Sequence, residues 1–175
     1  MNDRPPAPGG LALVQSLINS LDIETGTDLL STADGRAALG LAEHDVPAAR
    51  ALRGALRTAC LAHAGLHPRG SSTAALDELL AEAPLRVAVG PAGEASLRPA
   101  TAPDALLSRV AEAIAAASAD GTWSRLKACE AEDCHWAFYD RSPAGRGRWC
   151  SMSACGARAK MRAYRARLMD GGAPL

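Results

Sequence analysis

The sequence predicts a mainly α fold with a small antiparallel β hairpin, an α+β class, followed by a small cysteine-rich C-terminal module. Hydrophobic residues make up 48% of the 175 residues, yet only six residues are aromatic, and this Ala- and Leu-rich composition favours packed helices over a large sheet. One stretch of the N-terminal part alternates as strands do, and four of the five cysteines lie within residues 129–155. The length allows one domain of ordinary size and one smaller unit.

The N-terminal third is predicted to be helical after an irregular start. Residues 1–10 are rich in Pro and Gly, so we expect them to be disordered. Residues 11–21 place apolar side chains at helical spacing and predict a first helix. Ser31 or Thr32 is suited to cap a short second helix, and residues 47–64 predict a third helix that begins at a proline and stops before a glycine.

The middle of the chain predicts two further helices with a hairpin between them. A fourth helix is expected over residues 73–83. Residues 85–89 and 95–98 alternate on either side of a Gly-rich turn and predict two paired strands. Residues 103–119 predict a fifth helix, and the Asp120-Gly121 step that ends it marks the predicted domain boundary.

Charge is unevenly distributed along a chain whose formal net charge is zero. Residues 1–122 carry nine Arg against fourteen acidic residues, a net charge of −5, whereas residues 123–169 carry ten cations against four acidic residues, a net charge of +6. A basic module beside an acidic domain is a common layout where the module meets phosphates. We divide the chain into a disordered N-terminus (1–10), a helical domain with the hairpin (11–121), a basic module (122–169) and a flexible tail (170–175).

The cysteines of the basic module follow the pattern Cys129-x4-Cys134-x15-Cys150-x4-Cys155. Zinc prefers four soft ligands at the corners of a tetrahedron, and two close pairs joined by a longer loop can supply them. In a chain without an export signal, clustered cysteines bind metal more often than they form disulfides. The pattern predicts one structural zinc ion with no open coordination position, and reactive or disulfide-forming thiols are the alternative.

The segments around these cysteines predict a hairpin and a helix. Residues 136–139 alternate as a strand, and Arg148-Trp149 returns towards the second pair, so we expect a hairpin that bridges the two pairs. Residues 153–169 predict a helix with Ser153 as N-cap and Cys155 in its first turn.

Two histidine patterns are weaker metal candidates. His135 could substitute for a cysteine ligand, but four cysteines are already available. Cys60, His63 and His67 would share one helix face, yet Gly65 and Pro68 are expected to end that helix and no fourth ligand is evident nearby, so we do not interpret them as metal ligands.

Three stretches of the basic module carry a family resemblance: Arg125-Leu126-Lys127-Ala128-Cys129, Trp136-Ala137-Phe138-Tyr139-Asp140-Arg141-Ser142, and the run from Arg148 to Lys160. They resemble the CGNR zinc finger of bacterial proteins, with Cys155-Gly156-Ala157-Arg158 in place of the name motif. The helical domain resembles the ABATE-type domain through residues 13–22 and 28–30. The resemblance implies a stress-related transcription regulator that binds DNA through the finger. Ala157 lacks the hydrogen bonds of the family's Asn.

The predicted last helix favours nucleic acid as the partner. Arg158, Arg162 and Arg165 fall on one stripe and Lys160 and Arg167 on a neighbouring one, opposite an apolar face formed by Ala157, Met161, Tyr164 and Leu168. Arg146 and Arg148 come from the predicted hairpin. We expect this surface to bind DNA, and a solvated basic face is the alternative interpretation. Two other partners are candidates: RNA, whose bases would stack on Trp136, Tyr139 or Trp149, and another protein. Phe138 and Trp149 are nevertheless expected to be core residues.

The remaining expectations concern regulation, enzyme activity and cellular location. Asn19, Asp22 and Asp28 could line a small-molecule pocket, although helix capping and turn formation also account for them. We expect no enzyme activity, because no nucleophile elbow, phosphate-binding Gly loop or HExxH motif is present. Without a membrane span or signal core, a cytoplasmic protein with no membrane partner is expected, and a homodimer is compatible with a regulator. All these features predict a helical domain followed by a treble-clef-like zinc finger.

Overall fold

A computed structural model describes residues 4–70 and 72–170 of the chain. The helices are α1 (Leu11–Ile18), α2 (Ala33–Ala38), α3 (Val46–His63), α4 (Ala74–Ala81), α5 (Leu106–Ala119) and α6 (Ala157–Asp170). The strands form two antiparallel pairs, β1 (Leu85–Val89) with β2 (Ala95–Pro99) and β3 (Leu126–Ala128) with β4 (Ala137–Tyr139). This is the predicted α+β class. No helix in the described ranges has the length and apolar content to cross a bilayer.

Most predicted elements form close to their expected positions. Thr32 caps α2, because its hydroxyl accepts a hydrogen bond from the Gly35 amide at 3.1 Å. The proline at the start of α3 and Gly65 after its end, where φ is +79°, match the predicted signals for that helix. The first helix is shorter than expected: α1 ends at Ile18, and Arg57 of α3 donates to the carbonyl oxygens of Ile18 and Leu21 there.

The main core lies between α1, α3 and α5. Leu17, Leu56 and Val110, one from each helix, are fully buried and belong to one apolar cluster. The β1–β2 hairpin packs beside α5 through β2, and Val87 and Val89 remain largely exposed. The hairpin therefore adds little to the core, which depends on helix packing.

The β3–β4 sheet belongs to both parts of the chain. Leu126, Ala128, Ala137 and Tyr139 point from one face of the sheet into the main core. Phe138, on the other face, is fully buried in a second cluster with the cysteines. Side chains of a strand alternate between faces, so one short sheet closes the core of the helical domain and supports the cysteine cluster. Asp120-Gly121 ends α5 but does not separate two independent cores.

Polar side chains of α1 and α3 fix the sheet on the helices. The Asn19 amide makes two hydrogen bonds with the backbone of Ala137, accepting from its N–H at 2.7 Å and donating to its carbonyl at 3.0 Å. Gln15 donates to the same carbonyl at 3.2 Å, and His63 Nδ1–H donates to the Leu126 carbonyl at 2.8 Å. These contacts satisfy backbone groups that the two-stranded sheet leaves unpaired.

The N-terminal segment lies against the C-terminal module. Arg4 donates to the carbonyl oxygens of Trp149 at 3.0 Å and Cys150 at 3.2 Å, and its guanidinium lies 4.6 Å from the centroid of the Phe138 ring. Arg141 donates to the carbonyls of Pro5 and Pro6. Disorder was expected for residues 1–10, but residues 4–10 have these defined contacts, and residues 1–3 lie outside the described residues. The predicted tail at 170–175 is described only at Asp170, the last residue of α6.

Candidate metal centre

The four cysteines of the basic module meet in one cluster. Cys129 follows β3 and Cys134 lies in the same connection to β4, whereas Cys150 precedes a wide helical turn, Met152–Gly156, that contains Cys155. Their four sulfur atoms all lie within 4.8 Å of one another. Cys129, Cys150 and Cys155 are buried, and Cys134 is half-buried. Two ligands thus come from a hairpin connection and two from the start of a helix, an arrangement like that of a treble clef.

The sulfur spacing fits a tetrahedral zinc ion. Zn–S bonds of about 2.3 Å at tetrahedral angles place the sulfur atoms about 3.8 Å apart. The Sγ atoms of Cys134 and Cys150 are 3.7 Å apart, and so are those of Cys150 and Cys155. The donor set and spacing therefore support one Zn²⁺ with four cysteine ligands and no open position. Zinc here stabilises the fold, since a fully ligated ion has no position for water or substrate.

Residues 125–168 match the CGNR zinc finger. The match is to the family model of that name and covers the two strands β3 and β4, the four cysteines and most of α6. No curated protein matches the chain.

Two local corrections concern how the CGNR zinc finger is built. The predicted hairpin between the cysteine pairs is wrong: β4 pairs with β3, so the hairpin encloses Cys129 and Cys134. Residues 148–149 form no strand; the Glu130 amide donates to the Arg148 carbonyl at 3.0 Å, and Arg4 donates to the Trp149 carbonyl. Ser151, not Ser153, caps the helical turn, because its hydroxyl accepts from the Ala154 amide.

A side chain at Gly156 would crowd Met152 and Trp149. A Cβ atom there would lie 3.1 Å from Met152 Sδ and 3.3 Å from Trp149 Cδ1, closer than ordinary van der Waals contact. The Gly156 amide donates to the Ser151 carbonyl, which closes the wide turn. Ala157, at the position of the family's Asn, is exposed at the start of α6.

Charges around the cluster match the negative charge of a four-thiolate zinc site. Hydrogen bonding from Cys134 and Cys150 lowers the pKa of the Cys129 thiol, and hydrogen bonding to Cys129 raises the pKa of both partners, so these three thiols favour one shared negative charge before metal binds. Zinc bound to four thiolates carries a net charge of −2. Arg158 donates to Cys155 Sγ at 3.2 Å and pairs with Glu24 at 2.8 Å, and hydrogen bonding to Glu24 raises the pKa of Arg158. The arginine of the name motif thus links a metal ligand to the helical domain.

A buried ion pair organises the loop on the far side of β4. Asp140 is fully buried and accepts hydrogen bonds from Lys127 Nζ at 3.1 Å, the Gly147 amide at 2.7 Å and the Ser142 amide at 3.1 Å. Burial alone would raise the pKa of Asp140, but these hydrogen bonds outweigh it and lower the pKa to about 2. Lys127 also donates to the Gly145 carbonyl. The network fixes the loop that leads to Cys150.

The histidine candidates do not join the cluster. Among the described residues, only the four cysteines form a group that could hold a metal. His135 occupies the turn after Cys134 with a φ of +48°, and it is half-buried. Cys60 is fully buried in the main core, His63 binds the β3 backbone, and α3 ends at His63, before His67, close to the end that Gly65 and Pro68 predicted.

The three residues considered for a ligand pocket are mostly engaged in structural contacts. Asn19 binds the backbone of Ala137. Asp28 accepts from Arg53 at 2.7 Å and 3.1 Å and from the Leu30 amide, and the hydrogen bonds from Arg53 lower its pKa to about 2. Asp22 accepts from the Thr25 amide and lines a cavity of about 400 Å³ beside Cys134, Trp136 and Arg158.

The residues predicted to contact nucleic acid fall into two groups. Arg148 pairs with Glu130 at 2.6 Å, and Arg158 pairs with Glu24, so both have acidic partners. The other five are exposed, and none of them forms an ion pair within the described ranges. They are Arg146, Lys160, Arg162, Arg165 and Arg167.

The side chains of α6 form four stripes, since a helix turns about 100° per residue. Met161, Tyr164 and Leu168 form the apolar stripe, and each is at least half exposed. The two basic stripes, Arg158–Arg162–Arg165 and Lys160–Arg167, lie about 90° away on either side, and the alanine stripe, Ala159–Ala163–Ala166, lies opposite. The cations therefore flank the apolar stripe, and the prediction that they lie opposite it is wrong.

Proposed function

We propose that this protein is a zinc-dependent DNA-binding transcription regulator and that α6 is its principal DNA-binding element. The observation that carries the proposal is the position of α6: Cys155, in the turn that leads into it, belongs to the zinc cluster, and from Lys160 to Met169 every residue is exposed. A helix fixed at one end to a metal site and free along its length can approach a large partner without rearrangement.

The charge of α6 supports phosphate as the partner's chemistry. Residues 157–169 contain five cations and no acidic residue. Lys160, Arg162, Arg165 and Arg167 have no ion pair in the described part of the chain, so binding DNA would not require an internal salt bridge to break. Lysine and arginine that neutralise phosphates release counterions, which supplies most of the affinity of non-specific DNA binding.

The test is DNA affinity of the zinc-loaded protein across a salt series, measured by fluorescence anisotropy with a duplex of random sequence. With about four phosphate contacts, affinity should fall about 100-fold between 50 and 200 mM salt. The variant Arg162→Glu/Arg165→Glu should bind far more weakly. The control Arg69→Glu/Arg86→Glu makes the same charge change on exposed residues of the helical domain and should keep its affinity. Equal affinity of both double variants would refute the proposal.

RNA binding is a second candidate that the aromatic residues allow us to weigh. Tyr139 is buried, and Trp136 and Trp149 are half-buried in the cluster around the cysteines, so they offer little free ring face for stacking bases. This favours duplex DNA over single-stranded RNA. The same anisotropy assay with single-stranded RNA at equal salt separates the two, because tighter RNA binding would reverse the preference.

We further propose that the helical domain is ABATE-type and couples DNA binding to a small-molecule or stress signal in the cytoplasm. A cavity of about 270 Å³, with Leu41, Leu52 and Leu106 in its lining, lies in this domain and is near the size of a small-ligand site. A metabolite screen by thermal shift tests this, because a ligand that binds the folded state raises the melting temperature. The regulator could work as a homodimer without any enzyme activity of its own.

A further inference from the structure

The apolar stripe of α6 has no role in phosphate binding. Met161, Tyr164 and Leu168 are 50%, 56% and 58% exposed, and they align on one face over two turns. Exposed apolar side chains in a row mark a surface that a partner covers. The arrangement of charge around the stripe indicates which partner.

The two basic stripes define the shape of that partner. They lie about 90° to either side of the apolar stripe, so the partner must present negative charge on two walls and less polar surface between them. The major groove of B-DNA has this form: phosphates line both edges, base edges form the floor, and its width of about 12 Å admits a helix of about 10–12 Å diameter. The exposed part of α6, residues 160–169, is about 15 Å long and would span about four base pairs.

Two other partners fit the stripes less well. A helix that lies on a membrane surface has a broad apolar face with its charges opposite, whereas here the face opposite the apolar stripe is alanine. A second copy of α6, packed through the same stripe, would bring five cations of each helix together, and residues 157–169 of neither helix supply an acidic residue to separate them.

We propose that α6 enters the major groove with its apolar stripe against the base edges, where Met161, Tyr164 and Leu168 select thymine through its 5-methyl group. This proposal rests on the proposed DNA binding and adds to it the residues that determine sequence preference. Thymine is the base that presents a methyl group in the major groove, and apolar side chains recognise it by contact. The cations of the basic stripes without an ion pair in the described structure then hold the phosphates of the two strands, namely Lys160, Arg162, Arg165 and Arg167. These contacts position the helix but carry no sequence information.

The experiment begins with selection of duplexes from a random pool by the full, zinc-loaded chain. The enriched sequences should share a core of about four base pairs that contains thymine. Replacing each core thymine by deoxyuridine removes only the methyl group and should weaken binding about fourfold per contacted methyl. Unchanged affinity after all the replacements would overturn the proposal.

The matched variants separate specificity from affinity. Met161→Ala/Tyr164→Ala/Leu168→Ala keeps good helix formers on exposed positions, so zinc content and helical signal should be unchanged. It should lose the thymine preference and keep the salt dependence of the parent. Ala163→Gln/Ala166→Gln changes the alanine stripe and should keep the preference; loss of preference here instead would mean that the opposite face meets the bases.

The remaining outcomes also test the thymine contact. Salt-dependent binding without any sequence preference leaves the proposed DNA binding intact and overturns the thymine contact, whereas no binding to any duplex overturns both. If the triple variant instead loses binding to vesicles of phosphatidylglycerol, or changes from dimer to monomer in sedimentation, with its selected DNA sequences unchanged, the stripe serves a membrane or a second copy and the proposal fails.

Discussion

Replacing Asp28 by Asn should destabilise the protein substantially, although this residue lies far from the cysteines in sequence. Asp28 joins the start of a short helical turn to α3 through two hydrogen bonds from Arg53, whose side chain is only 7% exposed. The lowering of the Asp28 pKa from 3.8 to about 2 corresponds to about 2 kcal/mol of stability at neutral pH. Arg53 would also lose its counter-charge while buried, so the total cost should be about 2–4 kcal/mol.

The stabilisation by Asp28 should be lost at low pH. The folded-state pKa lies below the unfolded value of 3.8, so the contribution is complete above pH 3.8 and is lost as the pH falls through about 2. The stability difference between the parent and Asp28→Asn should therefore be constant near neutral pH and shrink between about pH 4 and 2. Zinc release in acid affects both chains alike, so the difference between them is the quantity to follow.

Urea unfolding of both zinc-saturated chains measures this difference, and thermal unfolding should show a shift on the order of 10 °C. The control Asp34→Asn removes an exposed carboxylate with no ion pair in the described structure and should change stability by less than about 0.5 kcal/mol. Equal stability of Asp28→Asn and the parent would refute the structural role of this carboxylate and would favour its earlier interpretation as part of a ligand site.

Three further predictions concern the finger. Phe138→Ala should cost about 3–5 kcal/mol in urea unfolding at saturating zinc, because the ring is fully buried, and a loss below about 1 kcal/mol would contradict this packing. The parent should bind one zinc per chain by elemental analysis, and chelation should expose four fast-reacting thiols to Ellman's reagent. Cys60 should react only on unfolding, since burial raises its pKa; five equally fast thiols would argue against the cluster. Arg158→Ala should weaken zinc binding about tenfold in competition with a chelator, because Cys155 Sγ loses its hydrogen-bond donor; unchanged affinity would show that this contact is not needed.

The sequence predicted what depends on local spacing. Helical periodicity located α3 and α5, alternation located β1 and β2 around their Gly-rich turn, and the cysteine spacing identified the four residues that cluster. These signals lie within a few turns of the chain, so no knowledge of tertiary contacts was needed.

The errors arose where a distant partner decides the structure. β4 could pair with a segment on either side of it. It pairs with β3, because the side chains of Leu126 and Ala128 in that strand also fill the core of the helical domain. The segment at 4–10 lacks any periodic pattern, and its order comes from contacts with Trp149 and Cys150. The Lys127–Asp140 pair is partly visible in the sequence, because one charge lies in a strand and the opposite charge lies at the end of another strand. Its structural importance follows only from the burial of both side chains, which the sequence does not show.

The shared β3–β4 sheet has a consequence for biosynthesis. Ribosomes extend the chain from its N-terminus at about 5–20 residues per second, and a domain that is complete in itself can fold as it emerges. Here the helices of residues 11–121 lack one wall of their core until the strands at 126–139 have been made, and the cluster that steadies those strands needs Cys155. The nascent chain must therefore carry uncovered apolar surface for several seconds, and zinc supply at the end of translation would determine how much of it reaches the folded state.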